Sequence, residues 1–186
     1  MKTDLSSPAY RSYLAALRNW ADSSQAEMHL QSAFGATINW VSAYRHLEFL
    51  KRGDFSLLPR IEVLPGRAMK ALWGGYSRDL RVVFISADCP ENLVVPVLLE
   101  EIGHFFDQEF CEVETPGDEG ALFAALVLGT ELDLLTASED DLEVLEFRGK
   151  SVAVEAARKV RGSRGKSGKS SRKGRGKSSA RSSQDS

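Results

Sequence analysis

Cysteine is scarce in this sequence, and there is no long hydrophobic run. The two cysteines, Cys89 and Cys111, among 186 residues are too few for a disulfide framework, which favours a reducing compartment, although one bridge between them stays open. A helix that crosses a bilayer needs about 18 or more consecutive apolar residues. The longest candidate, residues 93–99, is short and is interrupted by Pro96. The sequence therefore predicts no membrane insertion.

The amino terminus lacks the pattern of an export signal. A signal peptide needs an apolar stretch of roughly 7–15 residues after its first basic residues, but here Lys2 is followed by Asp4, Ser6, Ser7 and Pro8. We therefore expect a cytoplasmic protein, and secretion without a leader stays open.

Charge is divided unevenly along the chain. The formal net charge is −2, yet residues 158–186 hold 11 of the 24 basic side chains and one of the 26 acidic ones. Residues 1–157 therefore carry 13 basic and 25 acidic groups, a net −12, and residues 158–186 carry a net +10. The second segment is almost wholly Gly, Ser, Lys and Arg, a composition that predicts disorder. Its positive charge predicts contact with an acidic protein or a nucleic acid, or a solubilising role alone.

Apolar periodicity predicts a mixed α+β protein in three segments. Residues 1–52 are predicted to be helical, with Ser7 as an N-cap, Pro8 in the first turn, and a further helix over residues 36–51. Residues 53–157 combine helices and strands, and residues 158–186 form the basic tail. The elements predicted for the second segment are strands at 60–64 and 80–86, a short helix at 67–73, a helix after Pro90, a helix that starts near Thr115 and Pro116, and a hairpin at 142–156.

One helical turn carries the residues that point to chemistry. Glu100 and His104 are four positions apart and Glu101 and His104 are three apart, so a helix presents all three together. The pattern is the metalloprotease motif H-E-x-x-H with Glu100 in place of the first histidine. The alternative is a solvated polar face, because Glu100, His104 and Asp107 lie opposite an apolar arc.

Glu119 is predicted to be a buried carboxylate. Leu122, Phe123, Leu126 and Val127 follow it at helical spacing, which places Glu119 on the apolar stripe of its own helix. A buried carboxylate needs a metal, a cation or a protonated partner, and a metal shared with His104 meets that need. The neighbouring Asp118 has an adequate structural role, since it can cap the start of the same helix.

Residues from about 53 to 156 resemble a zincin-like metallopeptidase domain that occurs in large bacterial proteins with calcium-binding (RTX-type) repeats. The segments that carry the resemblance are GDFSLLPRIEVLP, VVFIS, VLLEEIGHFFD and TPGDEGALFAALV. The pair EEIGH and PGDEG is more specific than either motif alone. This chain has a basic tail where the large proteins have their repeats.

The resemblance implies a metal site and a fold around it. It implies Glu100, His104 and Glu119 as metal ligands and Glu101 as general base, with an edge strand at residues 81–86 ahead of the active-site helix. Zinc is the implied metal. Two carboxylates and one imidazole would neutralise a divalent ion, which moves the preference toward harder ions such as Mn²⁺.

Asp107 and Asp118 are predicted to support this site from behind the ligands. Asp107 can orient the His104 ring, as carboxylates commonly do for histidine ligands, although an exposed helix surface explains Asp107 as well.

The sequence thus predicts a metal-dependent peptidase that acts on a peptide or protein. A metal ion would polarise the peptide carbonyl and Glu101 would move the proton. The alternative is a catalytically inactive zincin-like binding module, whose polycationic tail, residues 158–186, contacts acidic partners or nucleic acid.

Overall fold

The structure, a computed structural model, describes residues 7–70, 72–113, 115–131 and 142–155. The predicted basic tail at 158–186 lies outside the described residues. The elements are α1 Pro8–Ala21, α2 Ala26–Phe34, α3 Trp40–Lys51, β1 Arg60–Leu64, β2 Gly74–Ser77, β3 Val82–Ser86, α4 Glu91–Phe110, α5 Glu119–Leu128, β4 Glu143–Phe147 and β5 Lys150–Val154. The predicted α+β class is confirmed. Within the described parts, no helix is both long and apolar enough to cross a membrane.

The amino-terminal helices begin at side-chain caps. The Ser7 side chain accepts a hydrogen bond from Tyr10 N, and Pro8 takes the first position of α1, as predicted. Asn39 caps α3 in the same way through Ser42 N, so the helix predicted over 36–51 begins at Trp40. The apolar periodicity of residues 1–52 does not distinguish α2 as a separate helix.

Three strands form a sheet in the order β1-β3-β2. β3 is parallel to β1 and antiparallel to β2. The expectation of an edge strand at residues 81–86 is therefore wrong, because β3 is central and β2, which the sequence analysis missed, is an edge. The predicted helix at 67–73 is also wrong: the described residues there form turns, and Lys70 has a φ of 52°, which no right-handed helix accommodates.

The helices cover one face of this sheet and a β-hairpin covers the other. Val83 and Ile85 of β3 belong to the hydrophobic core with the helices. Val82 and Phe84 point the other way and pack with the hairpin residues Leu145, Val152 and Val154. β4 and β5 pair antiparallel, which confirms the predicted hairpin. Its turn residues, Arg148 and Gly149, both have positive φ, as a two-residue hairpin turn of type I′ requires.

The helices of residues 1–52 share one core with α4 and α5. Trp20 of α1 packs edge-on against Phe123 of α5 at 4.9 Å between ring centroids, and Phe34 of α2 stacks on the same ring at 5.9 Å. Phe106 of α4 also meets Phe123 at 5.4 Å. This aromatic cluster fixes α4 and α5 relative to each other, and these two helices carry the candidate site.

Candidate metal centre

Helix α4 buries the polar face that holds the E-E-x-x-H pattern. Glu101, His104 and Asp107 are all buried, and Glu100 is half-buried. The alternative of a solvated polar face is therefore wrong. The reason is tertiary: α5 and β2 lie against this face of α4 and remove it from water.

Helix α5 brings Glu119 to His104. Its start differs from the prediction, because Asp118 is the N-cap and accepts a hydrogen bond from Ala121 N at 2.8 Å, so that the first helical residue is Glu119 rather than Pro116. Glu119 is 2% exposed, which confirms its predicted burial. Its Oε1 lies 3.0 Å from His104 Nδ1. The structure thus brings the predicted ligands His104 and Glu119 together.

Gly120 allows α4 and α5 to pack closely at this point. A Cβ at Gly120 would lie 2.6 Å from His104 Nε2 and 2.7 Å from the Glu100 carbonyl oxygen. Both distances are too short for any side chain, so only glycine lets the first turn of α5 approach α4 at the histidine.

Glu155, just after β5, is a member of the site that the sequence analysis missed. It is 3% exposed, and its Oε2 lies 3.2 Å from His104 Nδ1. The alternating pattern of the hairpin identifies Val152 and Val154 as inward residues. It predicts an outward side chain at the next position, so the local sequence carries no signal for the burial of Glu155.

Two groups of side chains that could hold a metal ion share His104. One is His104, Glu119 and Glu155, all buried, and the other is Glu100, His104 and Asp118, with both acids half-buried. The ligand atoms of each group lie within 4.8 Å of one another. Glu100 and Glu119, which the resemblance places in one ligand set, therefore fall in different groups here, and Asp118 joins Glu100.

Asp107 reaches the site through an arginine. Its carboxylate accepts a hydrogen bond from the Thr115 hydroxyl at 2.5 Å and pairs with Arg78 Nη2 at 3.3 Å. Arg78 Nε in turn donates to Glu155 Oε1 at 2.5 Å. The structure thus offers a route from Asp107 to His104 through Arg78 and Glu155, rather than the direct contact that the sequence analysis predicted.

The carboxylates hold a positive charge at His104. Burial by itself lowers the pKa of this imidazole, but the hydrogen bond to Glu119 and the charges of Glu101, Glu119 and Glu155 outweigh it and raise the pKa to about 10. Burial also raises the pKa of Glu155, against the opposing charges of His104 and Arg78. In the metal-free protein the cation that these carboxylates surround is the His104 imidazolium, and a bound metal ion would have to replace its proton.

The donor set fits a divalent ion. Glu119 Oε2 and Glu155 Oε2 are buried and make no hydrogen bond, and buried carboxylate oxygens without donors are costly. Imidazole nitrogen and carboxylate oxygen are both common ligands of zinc. A cation here would meet carboxylate oxygens that hydrogen bonding leaves unused.

The remaining candidates for metal ligation lie elsewhere. Cys89 and Cys111 are both half-buried and form no disulfide, so the bridge that the sequence left open is not formed. His46 packs among Phe105, Phe106 and Phe110 in the core.

Comparison with known proteins identifies no relative. No family model, no curated protein and no solved structure matches the chain.

Proposed function

We propose that this chain is a metal-dependent peptidase that binds one divalent ion at His104. The observation that carries the proposal is the contact of His104 Nδ1 with Glu119 Oε1 at 3.0 Å, between two helices and away from water. Glu155 Oε2 lies 3.2 Å from the same nitrogen, as a neighbour of the ligand set rather than a member of it. His104 and Glu119 would hold the ion with Glu100, which shares the second candidate group with His104, and Zn²⁺ and Mn²⁺ are the ions that suit an imidazole with two carboxylates.

Glu101 is the residue we assign as general base. It is fully buried between α4 and β2, where a Cβ at Gly74 would lie 2.5 Å from its Oε1. The bound ion would polarise the carbonyl group of a peptide and acidify a water molecule. Glu101 accepts the proton of the attacking water and donates it to the leaving amine as the C–N bond breaks.

Metal content and peptide cleavage test the proposal together. We expect about one ion per chain after incubation with Zn²⁺ or Mn²⁺, and none in His104→Ala, because the histidine belongs to both candidate groups. Glu101→Gln should keep the ion and lower the cleavage of an unstructured protein by about 10²-fold or more. Glu91→Gln, exposed on the same helix, is the matched control and should change neither.

Two results would overturn the peptidase. The first is a parent chain that takes up no ion, as measured by elemental mass spectrometry. The second is a loaded chain whose cleavage rate does not respond to Glu101→Gln.

The depth of the cluster favours a second candidate function. His104, Glu119 and Glu155 are at most 3% exposed, as in a site that holds a cation without turning over a substrate. In this case the chain is a catalytically inactive, zincin-like binding module, and residues 158–186 contact acidic partners or nucleic acid. A bound ion together with no cleavage by the parent would favour this candidate.

A further inference from the structure

Glu155, the residue after β5, pairs with the edge of the sheet in the way that one residue of an additional strand would. Tyr76 of β2 and Glu155 exchange both backbone hydrogen bonds, 2.9 Å from Tyr76 N to Glu155 O and 3.0 Å from Glu155 N to Tyr76 O. Their bridge is antiparallel and lies on the outer side of an edge strand. Extended peptides commonly bind proteins by this kind of pairing with a sheet edge.

The sheet edge is shaped for a close approach of this backbone. A Cβ at Gly75 would lie 3.1 Å from Val154 Cγ2 and 3.2 Å from the Glu155 carbonyl oxygen. Both contacts are tighter than a side chain at position 75 would ordinarily tolerate. Glycine at this position therefore gives room to the segment that ends in Glu155.

The Glu155 side chain fills the space beside the candidate ligands. Its carboxylate contacts His104 Nδ1 at 3.2 Å and Arg78 Nε at 2.5 Å. His104 and Glu119 are each 2% exposed with Glu155 in this place. A peptide carbonyl that approached His104 along the outer side of β2 would meet Glu155 there.

We propose that Glu155 is an intramolecular occupant of the peptide-binding cleft, and that the described conformation is a self-inhibited form. The inference rests on the proposed function, because it concerns the regulation of the same site. The backbone of Glu155 takes the place of a substrate strand beside β2, and its carboxylate takes the place of a substrate group beside His104. Activity then requires Glu155 to leave the cleft.

The hairpin can stay in place while Glu155 leaves. Val152 and Val154 are buried with Leu145 on the far face of the sheet, so β5 is anchored up to its last residue. Withdrawal of Glu155 breaks its two backbone hydrogen bonds to Tyr76 and its contacts with His104 and Arg78. Arg78 is 31% exposed, which places the exit of the carboxylate at the solvent side of the cleft.

Chemical labelling of His104 in the metal-free full chain tests the occupancy. Diethyl pyrocarbonate modifies accessible neutral imidazole groups, and mass spectrometry resolves each histidine. We expect Glu155→Ala to raise the labelling rate of His104 by about tenfold or more, because a buried group reacts only through opening. Glu155→Gln, which removes the same charge and keeps the side-chain volume, separates a change in the His104 pKa from opening of the cleft. Glu146→Ala, exposed on the same hairpin, is the matched control and should leave the rate unchanged. Equal rates in the parent and in Glu155→Ala would overturn the proposal.

His46 serves as the internal reference for folding. It is buried in the aromatic core, so its labelling should stay slow in every folded variant. If Glu155→Ala fails this check, Arg78→Gln replaces it, since that change removes the guanidinium that holds the Glu155 carboxylate and should let Glu155 leave the cleft more often. An unchanged His104 rate in folded Arg78→Gln would then overturn the proposal.

Cleavage assays on the metal-loaded chain separate this inference from the proposed function. If the cleft opens rarely, removal of its occupant should raise kcat/KM for an unstructured protein by about tenfold. Exposure of His104 without cleavage by either chain would overturn the peptidase and leave Glu155 as the occupant of the cleft. Equal cleavage by both chains would keep the peptidase and overturn the self-inhibition.

Discussion

At the scale of single residues, Asp107 shows how a charged group is kept inside this protein. It is buried, and it is bonded to both the hydroxyl of Thr115 and the guanidinium of Arg78. A buried carboxylate with two donors is stable where an isolated one would be costly. These bonds stabilise the position of Arg78 and of the loop before α5. The carboxylates that contact His104 Nδ1 are those of Glu119 and Glu155, not that of Asp107.

Asp107→Asn should therefore lower the free energy of unfolding and have little effect on metal binding. The amide weakens the pairing with Arg78, which should cost about 1–3 kcal/mol of unfolding free energy. Metal content should stay at the parent level. Thr115→Val, which removes the hydroxyl donor to the same carboxylate, should lower stability in a similar way. Loss of the ion from a folded Asp107→Asn chain would instead support the direct orientation of His104 that the sequence analysis predicted. Urea unfolding and elemental analysis measure the two effects.

His46 gives the metal-free protein a pH dependence of its own. Its Nδ1 donates to the Ser42 carbonyl at 3.0 Å, and burial lowers its pKa despite this bond. Protonation therefore favours the unfolded chain, so stability should fall as the pH drops below about 6.5, the ordinary histidine pKa. His104 acts in the opposite sense but between about 6.5 and 10, so it contributes almost nothing to the slope below 6.5.

His46→Gln should flatten this slope. Between pH 6.5 and 5 the parent should lose stability more steeply than the variant, by at most about 1.4 kcal/mol per pH unit for one proton. Urea unfolding of both chains in the presence of a chelator measures the difference. Parallel losses in the two chains would contradict the assignment to His46.

At the scale of elements, the contact between α4 and α5 determines the site. Gly103 and Gly120 face each other at this contact, and a Cβ at Gly103 would lie 2.6 Å from Gly120 Cα. The side chains next to these glycines, His104 on α4 and Glu119 at the start of α5, are brought together only because the two backbones touch. The helices could form separately, but the site requires this approach.

Gly120→Ala should destabilise the protein even though alanine favours helices. Alanine in a helix interior is ordinarily worth about 1 kcal/mol over glycine, whereas the added Cβ here would overlap His104 and the Glu100 carbonyl. We expect a net loss of about 1–3 kcal/mol and weaker metal binding. Ala125→Gly on the same helix is the control, because it should cost about 1 kcal/mol and leave metal binding intact. A more stable Gly120→Ala chain with full metal content would contradict the packing.

At the scale of the whole molecule, the sheet separates two hydrophobic cores, and the site lies where the chain passes from one to the other. Helices pack on Val83 and Ile85, and the hairpin packs on Val82 and Phe84. The chain leaves the hairpin core at Val154 and reaches the helices at Glu155, around the edge formed by β2. The carboxyl end of the described chain is thereby coupled to the candidate metal centre.

The basic segment 158–186 should govern binding to polyanions by the whole chain. Its 11 basic side chains and single acid favour phosphate contacts that do not depend on sequence, so binding to duplex DNA should weaken steeply as salt rises. The chain without residues 158–186 carries a net −12 and should not bind. Retention of binding by the shortened chain, measured by fluorescence anisotropy at several salt concentrations, would contradict this assignment.

The sequence by itself determined the features that depend on local order. Helical spacing predicted α1, α4 and the burial of Glu119, strand propensity predicted β1, alternation predicted the hairpin, and composition separated the basic tail from the acidic remainder. Each of these follows from residues within a few turns of one another, where periodicity reports which face is buried.

Only the tertiary structure decided which distant residues meet. It placed β3 at the centre of the sheet, divided Glu100 and Glu119 between two groups around His104, and brought Glu155 to that histidine from the far end of the described chain. Periodicity carries no information on such pairings, because they depend on which elements pack against each other and how closely. Glycines at 75, 103 and 120 permit these approaches, and a glycine in a sequence does not name the neighbour for which it leaves room.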